Sequence, residues 1–372
     1  MAKDLQCIGC GVALQSTNEK KVGFVPASAL AKNKDILCRR CFRLKHYNET
    51  VDVEFTEDDF HRMISEIQLQ EGLIVHIVDL FDVGGSLLSN LPRLVGEKDI
   101  ILVGNKIDLL PKSTNERKLS QWLRSIANSF RLKIKDICLI SSTKGIGIDH
   151  LKKSIEKYRK NQDVYVVGTT NVGKSTLINR LIQDTIGERN IITTSYFPGT
   201  TLGFIEIPLD DHTAIIDTPG IVNKKQMVHY VSEQDLKVIT PRKEIKPRVY
   251  QLRSEQTLFF GGLIRFDIIS GEDNSYICYA SNVLKIHRTS LRNADSLYER
   301  HLGDMLTPPS EESLKIFPKF TSNTFKITED DTDVVIPGLG WITIKEKGVT
   351  VTVHYPEGTT VLLRESFTKD GR

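Results

Sequence analysis

Eight residues, Gly168-Thr169-Thr170-Asn171-Val172-Gly173-Lys174-Ser175, follow the short apolar run 164–167 and precede a helical stretch, 174–184. Gly-x-x-x-x-Gly-Lys-Ser in that setting is a phosphate cradle. Successive backbone N–H groups and a helix N-terminus face the anion, the lysine reaches β- and γ-oxygens, and the serine hydroxyl ligates Mg²⁺. Contacts to a nucleotide are expected from Thr170, Asn171, Val172, Gly173, Lys174, Ser175 and Thr176. The alternative, an ordinary Gly-rich turn, explains neither the strand before it nor the helix after it.

A second constellation, Asn105-Lys106-Ile107-Asp108, closes the apolar strand 99–104. The Asp108 carboxylate can accept hydrogen bonds from N1–H and the exocyclic amine of guanine, which adenine does not offer. Lys106 can lie along the base, and Asn105 can tie this loop to the phosphate loop. A site built around such hydrogen bonds rejects the wrong base strongly, because the buried acceptor is left unpaired. Ser141, Ser142 and Thr143 follow a third strand, 136–140, and can turn backbone N–H groups toward the guanine carbonyl. Downstream, Thr201 in Pro198-Gly199-Thr200-Thr201 can complete a Mg²⁺ shell. In Asp217-Thr218-Pro219-Gly220, Asp217 can hold Mg²⁺ through water and the Gly220 N–H can sense a γ-phosphate. Ile221 occupies the next position, where a water-orienting Gln is common, so turnover is expected to be slow, ~10⁻⁴ to 10⁻² s⁻¹.

Four of the six cysteines fall in two pairs, Cys7-Ile8-Gly9-Cys10 and Cys38-Arg39-Arg40-Cys41. Two-residue spacing points both thiolates of a knuckle at one tetrahedral ion, and two knuckles close a Cys₄ zinc site with no open position. Redox dithiols are the other reading. Arg39, Arg40, Arg43, Lys45 and His46 form a basic rim that could touch phosphate backbone or be a solvated face.

The remaining residues must position these groups. A chain of 372 residues, 40% hydrophobic and 26% charged with net charge +3, has room for two or three globular domains. The surface leans basic enough to permit nucleic acid without requiring it. There is no apolar leader, and no apolar run approaches the ~20 residues of a membrane span, so a cytoplasmic protein is expected. Continuous apolar runs at 73–80, 99–104, 136–140, 164–167, 202–207 and 213–216 suit a mostly parallel sheet covered by helices on both faces. Helices are expected at 55–70, 115–130 and 148–159. Three domains follow: a zinc module 1–50, a nucleotide domain 51–224, and a β-rich α+β domain 225–372. The last carries strand patterns at 256–267, 275–286, 333–344 and 348–354, and 328–333 reads as an exposed acidic loop. Its basic residues, Lys237, Arg242, Lys243, Lys246, Arg248 and Arg253, then Lys285, His287, Arg288 and Arg292, suit RNA or a solvated face.

The phosphate-loop motifs stand in rotated order: 105–108 and 141–144 precede 168–175, Thr201 and 217–220. With the cysteine pairs in front and a long domain behind, the chain resembles the YqeH family of circularly permuted GTPases over essentially its whole length. Ser142 departs from the alanine of many relatives at a backbone-donor position. The resemblance implies an α/β GTPase fold and hydrolysis of GTP to GDP and phosphate with Mg²⁺. It also implies K⁺ held near the β- and γ-oxygens by Asn171, whose other reading is a loop-stabilising amide, so that Lys174, Asn171, Thr201 and Gly220 surround the reacting phosphate. The implied role is a nucleotide-gated switch in 30S ribosomal subunit assembly, touching 16S rRNA or ribosomal proteins. A non-catalytic scaffold for RNA, DNA or protein, and a GTPase partner in tRNA modification, are the alternatives. Rotation makes the γ-phosphate sensor the exit to the C-terminal domain, so nucleotide state is expected to act on that domain.

Overall fold

The computed structural model describes residues 5–30, 36–47, 67–88, 90–189 and 205–367. Thr201, the start of the strand expected from 202, and most of the helix expected at 55–70 lie outside them. The chain divides into two units.

The first unit comprises Met1–Leu80, Ser86–Ile107 and Ser120–Asn223. Its sheet contains β1 Leu73–Asp79, β2 Ile100–Asn105, β3 Ile134–Leu139, β4 Val164–Gly168, β5 Ile205–Pro208 and β6 Ala214–Asp217. The order is β3-β2-β1-β4-β6-β5. Every pair is parallel except β5 with β6. The phosphate-loop strand β4 therefore stands inside the sheet, with the earlier strands on one side and the later ones on the other. The sequence of β1, Leu-Ile-Val-His-Ile-Val-Asp, is buried at every residue but the last, as a strand covered on both faces requires.

His76 is the polar member of β1 and has no solvent exposure. Its Nδ1 lies 3.3 Å from Val167 O, and Leu88 N–H donates to its Nε2 at 3.2 Å. Burial pushes its pKa down to about 4, so it is a neutral core residue with both nitrogens satisfied. The helix Ile148–Tyr158 buries Ile148, Leu151, Ser154 and Ile155, one face at helical spacing. Leu177, Ile178, Leu181 and Ile182 of the helix Lys174–Arg189 join the same core, which also takes Leu44 from the helix Arg39–Tyr47. The phosphate-loop helix runs to Arg189, past the expected end at 184.

The second unit comprises Phe81–Gly85, Asp108–Leu119 and Lys224–Arg372. Residues 81–85 and 108–119, which the sequence assigns to the nucleotide domain, group with the C-terminal part. Phe81 lies beside Trp341 with ring centroids 6.0 Å apart, and Asp82 Oδ2 accepts from Gln226 Nε2 at 2.6 Å. Ile245 N–H donates to Leu109 O at 2.9 Å.

This unit has two antiparallel sheets of five strands. The strands are β7 Arg248–Leu252, β8 Gln256–Phe260, β9 Ile264–Ser270, β10 Asn274–Ala280, β11 Ile286–Ser290, β12 Phe320–Lys326, β13 Thr332–Ile336, β14 Gly340–Ile344, β15 Thr350–Pro356 and β16 Leu362–Glu365. One sheet is ordered β16-β13-β14-β10-β7 and the other β11-β8-β9-β15-β12. A single apolar cluster draws on both, including Phe266 and Val353 from one and Tyr276 and Ile342 from the other.

The β-rich runs at 256–267 and 333–344 are hairpins. In the first, Gly261 has φ +54, and an added Cβ would stand 2.3 Å from Pro308 O. The run 275–286 is also two strands, β10 and β11, which belong to different sheets. The acidic segment 328–333 is not wholly an exposed loop. Asp333 is fully buried in β13, accepting from Thr343 Oγ1 at 2.6 Å and Arg364 Nε at 3.0 Å. A buried carboxylate is tolerable only with partners of this kind.

Candidate nucleotide site and four-cysteine cluster

The phosphate loop leaves β4 at Gly168 and becomes helix at Lys174. Gly168 is packed tightly enough that a Cβ would meet Ile77 O at 2.9 Å. Gly173 has φ +87, and a Cβ there would lie 2.4 Å from Asn105 Nδ2. Both the left-handed backbone and the close approach therefore demand glycine. Asn171 is also left-handed, with φ 65, a conformation that Asn tolerates better than most residues.

Asn105 is the hub. Its Nδ2 donates to Val172 O at 2.8 Å, and its Oδ1 accepts from Ser142 N–H and Ser142 Oγ, each at 3.0 Å. One buried amide thus joins the phosphate loop to the Ser141-Ser142-Thr143 loop. Ser141 holds that loop in a turn, its Oγ accepting from Lys144 N–H at 3.1 Å. Lys106 Nζ donates to Asn171 O at 2.7 Å and to Asp79 Oδ2 at 2.6 Å.

Asp79 and Arg180 are site residues that motif reading misses. Arg180 donates from Nε to Ser142 O at 2.9 Å and from Nη2 to Thr143 O at 3.2 Å, pinning that loop from the phosphate-loop helix. A carboxylate ending an apolar strand was a usable signal for Asp79. Nothing local marked Arg180.

The segment 217–221 lies against the phosphate loop. Thr170 N–H donates to Ile221 O at 2.9 Å, and Ile221 N–H to Gly168 O at 3.2 Å. Gly220 approaches so closely that a Cβ would lie 3.0 Å from Thr170 Cγ2. Asp217 and Lys174 are both buried, with Lys174 Nζ 3.8 Å from Asp217 Oδ1. Ser175 and Val172 are buried and Thr176 exposed. The side-chain oxygens Thr169 Oγ1, Thr170 Oγ1 and Asp217 Oδ1 are buried without hydrogen-bond partners, which suits a pocket whose polar groups await a nucleotide and cation. Asp108 sits in the short 3₁₀ turn Ile107–Leu109, and its Oδ1 likewise has no partner.

Arg40 corrects the sequence reading. It belongs to no solvated basic rim, being 4% exposed, and its Nη2 donates to Asp217 Oδ2 at 2.5 Å and to Asp217 O at 3.0 Å. Arg39, Lys45 and His46 remain exposed, as the rim reading expects.

The four sulfurs of Cys7, Cys10, Cys38 and Cys41 lie within 4.8 Å of one another and are buried. Cys10 Sγ and Cys38 Sγ are 3.8 Å apart. Tetrahedral zinc with ~2.3 Å bonds has sulfur–sulfur edges of about 3.8 Å, so the cluster fits the ion. Among the described residues, the buried part of this small core besides the cysteines is Val25 and Ile36, too little to hold a fold unaided. Chelating zinc is therefore expected to remove on the order of 10 kcal/mol from this module. Amide exchange of residues 5–30 and 36–47 should rise to the unfolded rate while the sheet strands stay protected. Unchanged protection after full metal removal would refute the structural-zinc assignment.

Among the described residues, no helix is long and apolar enough to cross a membrane. The family described as "50S ribosome-binding GTPase" matches residues 163–255, which hold the phosphate loop and Asp217–Gly220. The family "YqeH-like, C-terminal" matches 273–367. The chain is 51% identical to YqeH of Bacillus subtilis (strain 168) over 361 residues, 97% of this chain and 98% of that one. It is 30% identical over 389 residues to NO-associated protein 1, chloroplastic/mitochondrial, of Arabidopsis thaliana, covering 91% of this chain and 69% of that one. With Nitric oxide-associated protein 1 of Homo sapiens it shares 23% identity over 97% of its length and 74% of the relative's. A phosphate loop in mid-sheet, base-loop motifs ahead of it in the chain, and near end-to-end likeness at this identity place the chain in the YqeH family of circularly permuted GTPases.

Proposed function

We propose that the chain hydrolyses GTP to GDP and phosphate and uses the nucleotide state to control its association with the small ribosomal subunit or its precursor, in the cytoplasm. The observation that carries the guanine-nucleotide reading is the Asn105 amide, which bonds the phosphate loop through Val172 and the base loop through Ser142. Phosphate and base ends of a bound nucleotide would thereby be set by one side chain.

In this reading Asn105, Lys106 and Asp108 take the base, with Ser141, Ser142 and Thr143 along its carbonyl edge. Thr170, Asn171, Val172, Gly173, Lys174, Ser175 and Thr176 surround the phosphates. Ser175, Asp217 and Thr201 would hold Mg²⁺, directly or through water, and that ion would neutralise charge developing on the phosphate oxygens. Lys174 adds a positive charge at the same end, and Gly220 N–H senses the γ-phosphate. Ile221 has no side chain able to orient water; a K⁺ held by Asn171 would supply further charge stabilisation.

Ribosomal association is supported by the likeness to YqeH and by exposed cations on the second unit, among them Arg242, Lys243, Lys246, Arg253, Arg288 and Arg292. Phosphate contacts of that kind weaken with salt. Sedimentation with isolated 30S and 50S subunits, in GDP and in a non-hydrolysable GTP analogue at two salt concentrations, tests the reading. GTP-dependent, salt-sensitive association with 30S is expected. Association with 50S alone, which the description of the matched GTPase family would suit, or with neither subunit, overturns it.

Ile221 also favours a second reading, in which bound nucleotide stiffens a scaffold without being hydrolysed. Single-turnover hydrolysis in K⁺ and in Na⁺ separates the two. Measurable turnover, faster in K⁺, is expected of the GTPase, and none of the scaffold.

A further inference from the structure

Arg40, in the zinc module, reaches Asp217 of the nucleotide site. It stands between Cys38 and Cys41, so both flanking positions are tied to the four-sulfur cluster, and its side chain is 5% exposed. The guanidinium makes two contacts with one residue: Nη2 with Asp217 Oδ2 at 2.5 Å and with Asp217 O at 3.0 Å. Grip on both the carboxylate and the main chain fixes the Asp217 side-chain torsion as well as its position.

The other carboxylate oxygen is treated differently. Asp217 Oδ1 is inaccessible to solvent, has no hydrogen bond, and lies 3.8 Å from Lys174 Nζ at the mouth of the phosphate-loop helix. Burying a guanidinium costs several kcal/mol and is recovered only by a well-made pair. A pair that consumes Oδ2 and leaves Oδ1 turned to the phosphate-loop lysine sets that carboxylate in one orientation.

We infer that Arg40 is a positioning residue of the GTPase site, by which the zinc module aims Asp217 Oδ1 at the hydrated cation of the bound nucleotide. This rests on the guanine-nucleotide reading above. Partners of that kind, which orient a metal-binding group without touching the metal, typically govern ten- to hundredfold of metal affinity. The fixed guanidinium charge also repels a cation, and the gain from orienting Asp217 has to outweigh that repulsion. A group competing with the cation would be expected to cap Oδ1, and Arg40 holds Oδ2. The coupling is reciprocal: whatever zinc contributes to cation binding, the cation returns to zinc retention.

The test titrates Mg²⁺ into full-length protein carrying a fluorescent non-hydrolysable GTP analogue, for wild type, Arg40→Lys and Arg40→Ala. Nucleotide affinity is measured separately in excess chelator. For Arg40→Ala the Mg²⁺ midpoint is expected to rise ten- to hundredfold, with Mg²⁺-free nucleotide affinity changed less than about threefold. Arg40→Lys should restore part of the loss, since it keeps the charge and loses the planar fork. In the wild type, Mg²⁺ with the analogue should tighten zinc affinity at least fivefold relative to analogue alone, read at equilibrium by competition with a colorimetric chelator. That measurement stands even if Arg40→Ala fails to fold. An unchanged or lowered Mg²⁺ midpoint in a folded variant, or zinc affinity indifferent to Mg²⁺, overturns the inference while leaving guanine-nucleotide binding intact. Failure of the wild type to bind the analogue would instead overturn the nucleotide reading itself.

Discussion

Lys174→Ala is expected to weaken binding of GDP and of a GTP analogue by about 30- to 1,000-fold, or about 2 to 4 kcal/mol, without unfolding the protein. Lys174 is 2% exposed at the first residue of the phosphate-loop helix, where its Nζ can reach the β- and γ-oxygens of a cradled nucleotide. Its Nζ lies 3.8 Å from Asp217 Oδ1, beyond hydrogen-bond length. Asp217 keeps its Arg40 partner in the variant, so no buried carboxylate is abandoned. Calorimetric titration with both nucleotides measures the loss, and a melting temperature within a few degrees of wild type shows that the fold persists. Affinity within threefold of wild type would show that the phosphates lie elsewhere.

Asp108→Asn is expected to exchange the base preference. Guanine offers two donors to the carboxylate. An amide in its place presents one acceptor and one donor, and the donor suits the carbonyl that xanthine carries where guanine has its amine. Loss of a paired buried acceptor, with a mismatched donor added, should cost GTP about 10²- to 10³-fold while XTP gains. The partnerless Asp108 Oδ1 is the structural ground for this expectation. Competition between GTP and XTP for a fluorescent nucleotide reads the ratio directly. Unchanged preference would remove Asp108 from base recognition and leave the Lys174 result untouched.

These two residues were legible before any coordinates because each belongs to a short motif whose geometry is local. A phosphate loop needs glycines at set positions, a lysine and a serine within eight residues, and a strand and helix on either side. The structure places those residues between β4 and its helix, with Asn105 linking the loops. Sheet strands were legible for a similar reason: a run such as Leu-Ile-Val-His-Ile-Val is buried on both faces and carries its environment in its composition.

The second unit was harder to read. β7, Arg-Val-Tyr-Gln-Leu, and β12, Phe-Thr-Ser-Asn-Thr-Phe-Lys, are edge strands; β12 exposes most of its residues and β7 fully buries only Leu252, so they leave little apolar pattern. Hairpin turns at 261–263 and 337–339 divided runs that composition alone joins. Asp333 looked like a loop residue because burial of a carboxylate depends on a partner, Arg364, that lies 31 positions away.

Amino-acid order was sufficient to mark the two cysteine pairs, the glycine-rich loop, the Asn-Lys-x-Asp motif and their rotated arrangement, since each is a matter of residue type and spacing over a few positions. Folding alone brought Arg40 to Asp217 across 177 positions, Asp79 to Lys106 and Arg180 to the base loop. A motif states which atoms its own backbone can present. Which distant charge is buried beside them depends on how helices and strands pack, and the cost of an unpaired charge in that interior makes the pairing definite.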